Sequence, residues 1–383
     1  MKIFTDMKIH IIGGGIAGLS LGILLIRAEQ PVVIYERRSP HAFAGMGFLL
    51  TNNGVKILKE LFGDNWEVEK FFTELHSLTL HNLETNVELI QSAEGLWGVR
   101  RPILMKRLED IFVKEGGELK TNHQFVSFRY DDHNGEINGL VLKSEKGLYE
   151  EPANFIIGAD GIKSNVRTEL FPQSKIRPSV LTEYVGLCPL NDQLLDQYPE
   201  FSEPKLVKYY QPQSSLAFGM MTIPKQQLIW YAQMRTIPEL ITEDGEPRRA
   251  FVKSCYQDWP EVIQQILDHT PFQRTYRWDS RDLLVMPTAF KSGVMLIGDA
   301  AHASLTISSQ GVGSALEDAQ VFSSFFQLFF RSTKLTQDNW DQFCREFDSQ
   351  RLPVWLRRQN EARSLQERFL SGDLTDGVPI VKK

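Results

Sequence analysis

Residues 9–25 read IHIIGGGIAGLSLGILL, with three consecutive glycines between two apolar runs. The β-branched stretch before Gly13 reads as a buried strand, and the proline-free run from Ile16 to Ala28 has helical spacing. Gly13, Gly15 and Gly18 therefore form G-x-G-x-x-G in strand–turn–helix context. Such a turn brings the backbone of Gly13, Gly15, Ile16, Ala17 and Gly18 close to a pyrophosphate, at a helix end of favourable partial charge. The next apolar run, PVVIY at residues 31–35, ends in Glu36. That acidic residue falls about twenty positions after the glycines, where a ribose hydroxyl belongs. Arg37 and Arg38 follow, and of the two Arg37 is expected to reach the cofactor. The cradle by itself does not distinguish one dinucleotide from another.

Two distant segments carry the same strand-to-glycine design. Residues 154–161, NFIIGADG, run from an apolar strand into Asp160-Gly161, ahead of a helix bearing Arg167. Residues 293–302, GVMLIGDAAH, end another strand at Gly298-Asp299, and a loop leads on to Gly311-Val312-Gly313 and a further helix. Arg101, Leu104 and Leu108 in RRPILMKRLEDIF, and QRLP at residues 350–353, complete the set.

In these motifs and their order the chain resembles the group A flavoprotein monooxygenases, the para-hydroxybenzoate hydroxylase-like family. The resemblance spans nearly the whole chain. It implies an α/β fold: a Rossmann-like FAD-binding domain interleaved with a β-sheet substrate domain, closed by C-terminal helices. Residues 1–72, 100–175 and 285–383 would make the first domain, and residues 73–99 and 176–284 the second. It implies FAD held by Glu36 at the adenosine ribose, Arg101 along the pyrophosphate and ribose, and Asp299 at the ribityl chain. The amides of Gly311, Val312 and Gly313 would face flavin N1 and O2, where a helix N-terminus stabilises negative charge. Asp160 would serve FAD and nicotinamide handling together. The implied reaction is hydroxylation of a small aromatic by O2 through a C4a-hydroperoxyflavin, with NADPH or NADH as transient co-substrate. A related-fold reductase or epoxidase, or a non-catalytic FAD-stabilised binding module, stays open; the W-x-W-x-I-P segment of flavin halogenases is missing.

The chain departs from the family pattern after GDAAH. Thr306 replaces its proline, Ser309 a glycine and Gly313 an asparagine. Thr306 is expected near the reactive edge of the flavin. His302 is expected to fix the loop rather than act as a base.

Residues 205–210, 215–223 and 227–235 pattern as consecutive antiparallel strands, and 75–83 with 86–91 as two more. Such a sheet would roof the cofactor and line a substrate pocket. Phe218 and Met220 are expected to line it, with either Tyr231, Gln233 and Arg235 or Trp230, Ala232 and Met234; alternation alone does not fix the face. Arg235, to pair a carboxylate or phenolate, and Tyr210, to bond a substrate hydroxyl, join Thr306 as candidate catalytic residues. Residues 249–268 read as helical, and helices near 314–330 and 338–370 close the chain.

Composition narrows the rest. The chain has 383 residues and a formal net charge of −6. No basic stripe appears, so nucleic acid is not expected. Cys188, Cys255 and Cys344 lie far apart, which suggests no disulfide framework or metal site and fits a reducing cytoplasm. MKIFTD at the start carries no long apolar core, so no leader is expected. The apolar run at residues 321–330 is broken by Ser323, Ser324 and Gln327 and reads as a buried helix, not a membrane span. The composition leaves the oligomeric state open.

Overall fold

The computed structural model describes residues 7–40, 45–63, 68–211, 213–237, 242–284 and 286–371. The expected leaderless start and the last ten residues lie outside them.

Two large sheets organise the chain. The first has six strands in the order Phe290–Lys291, Val294–Leu296, Phe155–Gly158, Ile9–Ile12, Val32–Glu36, Glu118–Thr121. All neighbours are parallel except the short hairpin at one edge. Its central strands are apolar throughout because helices cover both faces. The helix Ile16–Arg27 crosses over between the first two strands in sequence and packs against helices Arg101–Lys114 and Gly311–Phe329. The carboxyl ends of Ile9–Ile12, Phe155–Gly158 and Val294–Leu296 deliver Gly13, Asp160 and Gly298 to one edge of the sheet. In open α/β sheets that edge is where ligands bind.

The second sheet has seven strands: Tyr276–Leu283, Ile176–Pro189, Gln227–Arg235, Leu216–Ile223, Lys205–Gln211, Ser77–Asn82 and Val87–Ser92. It is antiparallel except where Lys205–Gln211 meets Ser77–Asn82. Its outer face carries Tyr184, Phe218, Met220, Trp230, Ala232 and Met234. Helices Glu246–Cys255 and Glu261–Asp268 cover that face through Val252, Ile263 and Ile266. Tyr256 reaches under the sheet, donating its hydroxyl to the Ala217 and Gln233 carbonyls at 3.0 and 2.9 Å.

One expectation changes here. Phe218 and Met220 do not face the first sheet; they anchor the helical layer behind the second. The helical stretch 249–268 falls in two helices, the first ending at Cys255 and the second opened by Pro260 at its N-cap.

The inner face carries Leu181, Leu206, Tyr210, Ala217, Met221 and Ile229, with Met46, Ile307 and Phe369 packed on it. It faces the loop after Asp299 and the end of the C-terminal helix Gln337–Ser371. Smaller three-stranded sheets, Gly47–Thr51 with Leu96–Arg100 and Phe72–Glu74, and the meander over residues 124–152, complete the fold.

Candidate active site

The three glycines of the opening motif do different work. Gly13 has φ +112°, and a Cβ there would lie 2.3 Å from the Ala159 carbonyl oxygen. A Cβ on Gly18 would lie 2.0 Å from the Gly13 oxygen, so that glycine lets helix and strand close together. Around Gly15, the N-cap of helix Ile16–Arg27, a Cβ would meet nothing within 4 Å. Two glycines thus serve the fold, and the third borders open space at a helix N-terminus, where an anion is stabilised.

Glu36 closes one end of this space. It accepts from the Gly14 amide at 2.8 Å, and from the Arg38 amide, Nε and Nη2 at 2.8, 3.0 and 3.1 Å. Burial raises its pKa, but the Arg38 and Gly14 hydrogen bonds outweigh that and hold it below the ordinary carboxylate range. Arg38, not Arg37, turns inward; Arg37 is exposed. Neighbouring residues past a strand end point opposite ways, and Arg38 takes the side of the Glu36 carboxylate. Four donors already surround that carboxylate, so a ribose hydroxyl bound there competes with the Arg38 guanidinium.

Asp299 closes the other end. Gly298 has φ +58°, and its Cβ would sit 2.9 Å from the Ala17 Cβ, which draws this loop against the cradle helix. Asp299 keeps exposed surface although protein surrounds it, as befits the floor of an open cleft. Burial raises its pKa, partly offset by His302, Arg101 and Arg167. Its Oδ1 lies 3.8 Å from where a Gly311 Cβ would be, and Gly313 borders open space. The N-terminus of helix Gly311–Phe329, with Val312 in its first turn, therefore opens beside Asp299.

Arg101 is electrostatically coupled to both ends. Its charge is felt by Asp299, and its own pKa, lowered by burial and by Arg38, is raised by both Asp299 and Glu36. Asp160 sits behind the cradle. Its Oδ2 accepts from the Asn165 and Val166 amides at 2.8 and 3.3 Å, capping helix Asn165–Leu170, while its buried Oδ1 has no partner. Arg167 is a buried cross-brace: Nη1 donates to the Ala300 carbonyl at 3.0 Å and Nη2 to the Ile162 carbonyl at 2.5 Å.

An Asp299 carboxylate, an open helix N-terminus, an arginine coupled to both ends, and Glu36 beside an anion-binding turn suit a long ligand with a diphosphate in its middle. The model of the FAD binding domain family matches residues 6–333. The chain belongs to that FAD-binding family. It is 25% identical over 328 residues to an aurachin C monooxygenase/isomerase from Stigmatella aurantiaca, covering 85% of this chain and 82% of that protein. It is 26% identical to a 3-amino-4-hydroxybenzoate 2-monooxygenase from Streptomyces platensis, covering 82% and 78%. The crystal structure of Klebsiella pneumoniae HpxO, complexed with FAD and uric acid, superposes with a TM-score of 0.80 at 19% identity, covering 97% of this chain and 91% of that one. The protein binds FAD, and its fold is that of the FAD-dependent monooxygenases. The open rim of the cradle at Gly15 and the open N-terminus at Gly311 and Gly313 fit the diphosphate and the flavin end of FAD.

The candidate catalytic residues separate. The Thr306 hydroxyl donates to Glu183 Oε1 at 3.2 Å and pairs with Ser280 Oγ at 3.0 Å, pinning its loop to the second sheet. Tyr210 lies on the inner face, paired in register with Asn82 of the neighbouring strand. Arg235 has inner-face parity but stands at the exposed end of its strand, where Nη2 reaches Ser215 Oγ at 3.5 Å. Arg235 is the last residue of its strand and is exposed, so it is corrected from a pocket cation to a surface one.

Sequence reasoning missed Glu183, Lys208 and Asp318. Glu183 and Lys208 are single charged residues at inward positions of otherwise apolar stretches, LTEYV and LVKYY. A charge on the buried parity of a strand is the signal that was there to be read. Asp318 gives no local signal, because its partners are far along the chain.

Proposed function

We propose that the chain is an FAD-dependent monooxygenase that spends one reduced nicotinamide and one O2 to put a hydroxyl on a small aromatic. Atoms balance as substrate C–H, O2, NAD(P)H and a proton giving C–OH, water and NAD(P)+. Bound FAD supplies the redox chemistry: it takes a hydride and activates oxygen.

The chain's own residues bind, orient and enclose. The turn at Gly13 to Gly18 and Arg101 would hold the diphosphate, and Glu36 with Arg38 the adenosine ribose. Asp299 would accept from the ribityl chain. The helix end at Gly311 would favour negative charge on the flavin's pyrimidine edge. The inner face of the seven-stranded sheet would cover the ring system and exclude water, which preserves the oxygenating species. Asp160, with one free carboxylate oxygen behind the cradle, would assist FAD placement by holding helix Asn165–Leu170. NADH or NADPH would dock transiently, since the described residues contain one dinucleotide cradle.

The observation that carries this reading is the pair of open helix N-termini: a Cβ on Gly15 or on Gly313 would meet nothing within 4 Å, and Asp299 stands beside the second. The test is oxidation of NADH and NADPH by the purified yellow protein across a panel of phenols, benzoates and heteroaromatics. Stimulation by a ring compound, with one 18O from 18O2 in the product, is the expected result. Stimulation by none, with bound FAD, would leave a flavoprotein without this activity.

A further inference from the structure

The inner face of the seven-stranded sheet is closed along its middle and hollow toward one edge. Ala217 and Gln233 are 0% and 1% exposed. Glu183, the partner of Gln233 on the next strand, keeps accessible surface although protein closes round it, and so does Tyr231. Residues enclosed by protein yet reached by solvent line a hollow. The Tyr231 ring leans across Gly219, where a Cβ would lie 2.1 Å from it. It therefore leaves uncovered Val185, its partner on the other side, which is half-buried. On the edge strand Tyr276–Leu283, Tyr276 stands opposite Val185 and Trp278 opposite Glu183, and both rings are exposed. The hollow thus has Val185 as its floor and opens at the sheet edge. Thr306 and Ile307 meet it from the loop between Asp299 and Gly311.

Glu183 brings charge to this hollow. Its Oε1 accepts from the Thr306 hydroxyl at 3.2 Å, and that hydroxyl also meets Ser280 Oγ at 3.0 Å. The Thr306 proton is committed to Glu183, so Ser280 supplies the proton between the two hydroxyls. This chain fixes the carboxylate and leaves Oε2 free. No donor among the described residues reaches Oε2, and Lys208, which attracts the carboxylate from a distance, makes no ion pair with it. Burial pushes the carboxyl pKa up, against the Thr306 hydrogen bond and the Lys208 charge. An enclosed carboxylate oxygen without a donor is costly. It repels an anion and is satisfied by a donor that keeps its proton. An N–H on an aromatic ring is such a donor, whereas an acidic O–H leaves a second negative oxygen once its proton moves.

We propose that Glu183 Oε2 accepts an N–H of the substrate, so that the substrate class is flat, uncharged ring compounds bearing a ring N–H or an aromatic amino group. The ring lies over Val185, between Tyr231 and Tyr276, with its N–H edge toward Glu183, and it enters past Trp278. The proposal names the substrate class within the monooxygenase reading and rests on it for what happens after binding.

Binding is measured without turnover. FAD-loaded protein is titrated by calorimetry and by the change in flavin absorbance with matched pairs: indole beside 1-methylindole, 4-quinolone beside 1-methyl-4-quinolone, and aniline beside N,N-dimethylaniline. Phenol beside anisole is the O–H counterpart. At least one N–H compound binds, its N-methylated partner binds tenfold or more weakly, and phenol and anisole differ by less. Glu183→Met brings the N–H compound and its partner within twofold of each other. Binding by no N–H compound, equal binding of both members of every pair, a larger discrimination between phenol and anisole, or an N–H preference that survives Glu183→Met overturns the assignment. If Glu183→Met does not hold FAD, Thr306→Val decides. It removes the hydroxyl and keeps the acceptor, so the tenfold preference stays; its loss overturns the assignment. N–H-selective binding without NAD(P)H oxidation or O2 uptake leaves the acceptor standing and removes the monooxygenase. Turnover indifferent to N-methylation does the reverse.

Discussion

Arg351 and Asp318, 33 residues apart, meet with both Arg351 Nε and Nη2 on one carboxylate oxygen, at 2.9 and 2.8 Å. Trp355 Nε1 donates to the same oxygen at 2.9 Å. The other oxygen takes the Gly298 amide at 3.0 Å and His302 Nε2, whose ring stacks on Trp355. One buried carboxylate therefore fixes the loop that presents Asp299. His302 belongs to this brace, which agrees with its expected loop-fixing role. The QRLP segment owes its arginine to the same contact.

Asp318→Asn leaves the buried Arg351 guanidinium with only the Glu317 carboxylate, 3.7 Å away, as counter-charge. Removing one partner of a buried pair costs about 3–5 kcal/mol. Urea unfolding of the FAD-free protein should show a loss of that order. FAD affinity should fall as well, because Gly298-Asp299 loses its anchor. Unchanged stability would mean that the carboxylate is dispensable.

The same residue sets an acid dependence. Burial raises the Asp318 pKa, but His302, Arg351 and the Gly298 amide outweigh it and hold it far below the ordinary range. A depressed carboxylate contributes stability that is complete above its unfolded pKa, about 3.9, and is lost as pH falls toward the native value. The stability difference between wild type and Asp318→Asn should shrink as pH falls below about 4. A difference that stays constant down to pH 3 would contradict the assignment.

Gly15→Ala and Gly18→Ala separate ligand from fold. A methyl at position 15 enters open space, so the protein should stay folded, losing about 1 kcal/mol or less at the N-cap, yet retain less FAD on purification. A methyl at position 18 meets the Gly13 carbonyl oxygen, which is backbone and cannot step aside. That clash should cost at least the ~1–3 kcal/mol of an overpacked core, visible as a lower melting temperature without FAD. The reverse pattern would place the cofactor elsewhere.

The two ends of the cleft can be tested by colour. Asp299→Ala should purify without yellow colour. Glu36→Ala should weaken FAD by about 1–3 kcal/mol, the loss for a hydrogen bond to a charged group, measured by titrating the FAD-free protein. Stoichiometric FAD in Asp299→Ala would refute its place at the ribityl chain.

What the sequence made legible was local. Gly13 to Gly18, Asp160-Gly161 and Gly298-Asp299 each lie within a few residues of the strand that explains them. The faces of the second sheet were not legible, because both are buried: Phe218 and Trp230 under helices, Ala217 and Ile229 toward the cleft. Alternation then carries no polarity to read. The strand Ile176–Pro189 was missed; it carries Pro178 near its start, and pairing shifts register between Pro178 and Thr182. The Asp318 brace joins a loop and two helices and has no short-range signature.

Lys208 gives the last prediction. Its native pKa of about 8, lowered by burial against the pull of Glu183, lies below its unfolded value of about 10.4. Glu183 and Tyr231 are the titratable groups facing it. A lysine whose pKa is depressed by folding destabilises the native state in full below the native pKa, and that cost is relieved as pH rises toward the unfolded one. The unaltered FAD-free protein should therefore gain stability relative to Lys208→Met between pH 8 and 10. At pH 7 Lys208→Met should be the more stable by about 2–3 kcal/mol, the scale of two pKa units. A Lys208→Met variant less stable than wild type at pH 7, with a difference independent of pH, would show instead that the ammonium is already satisfied within the protein.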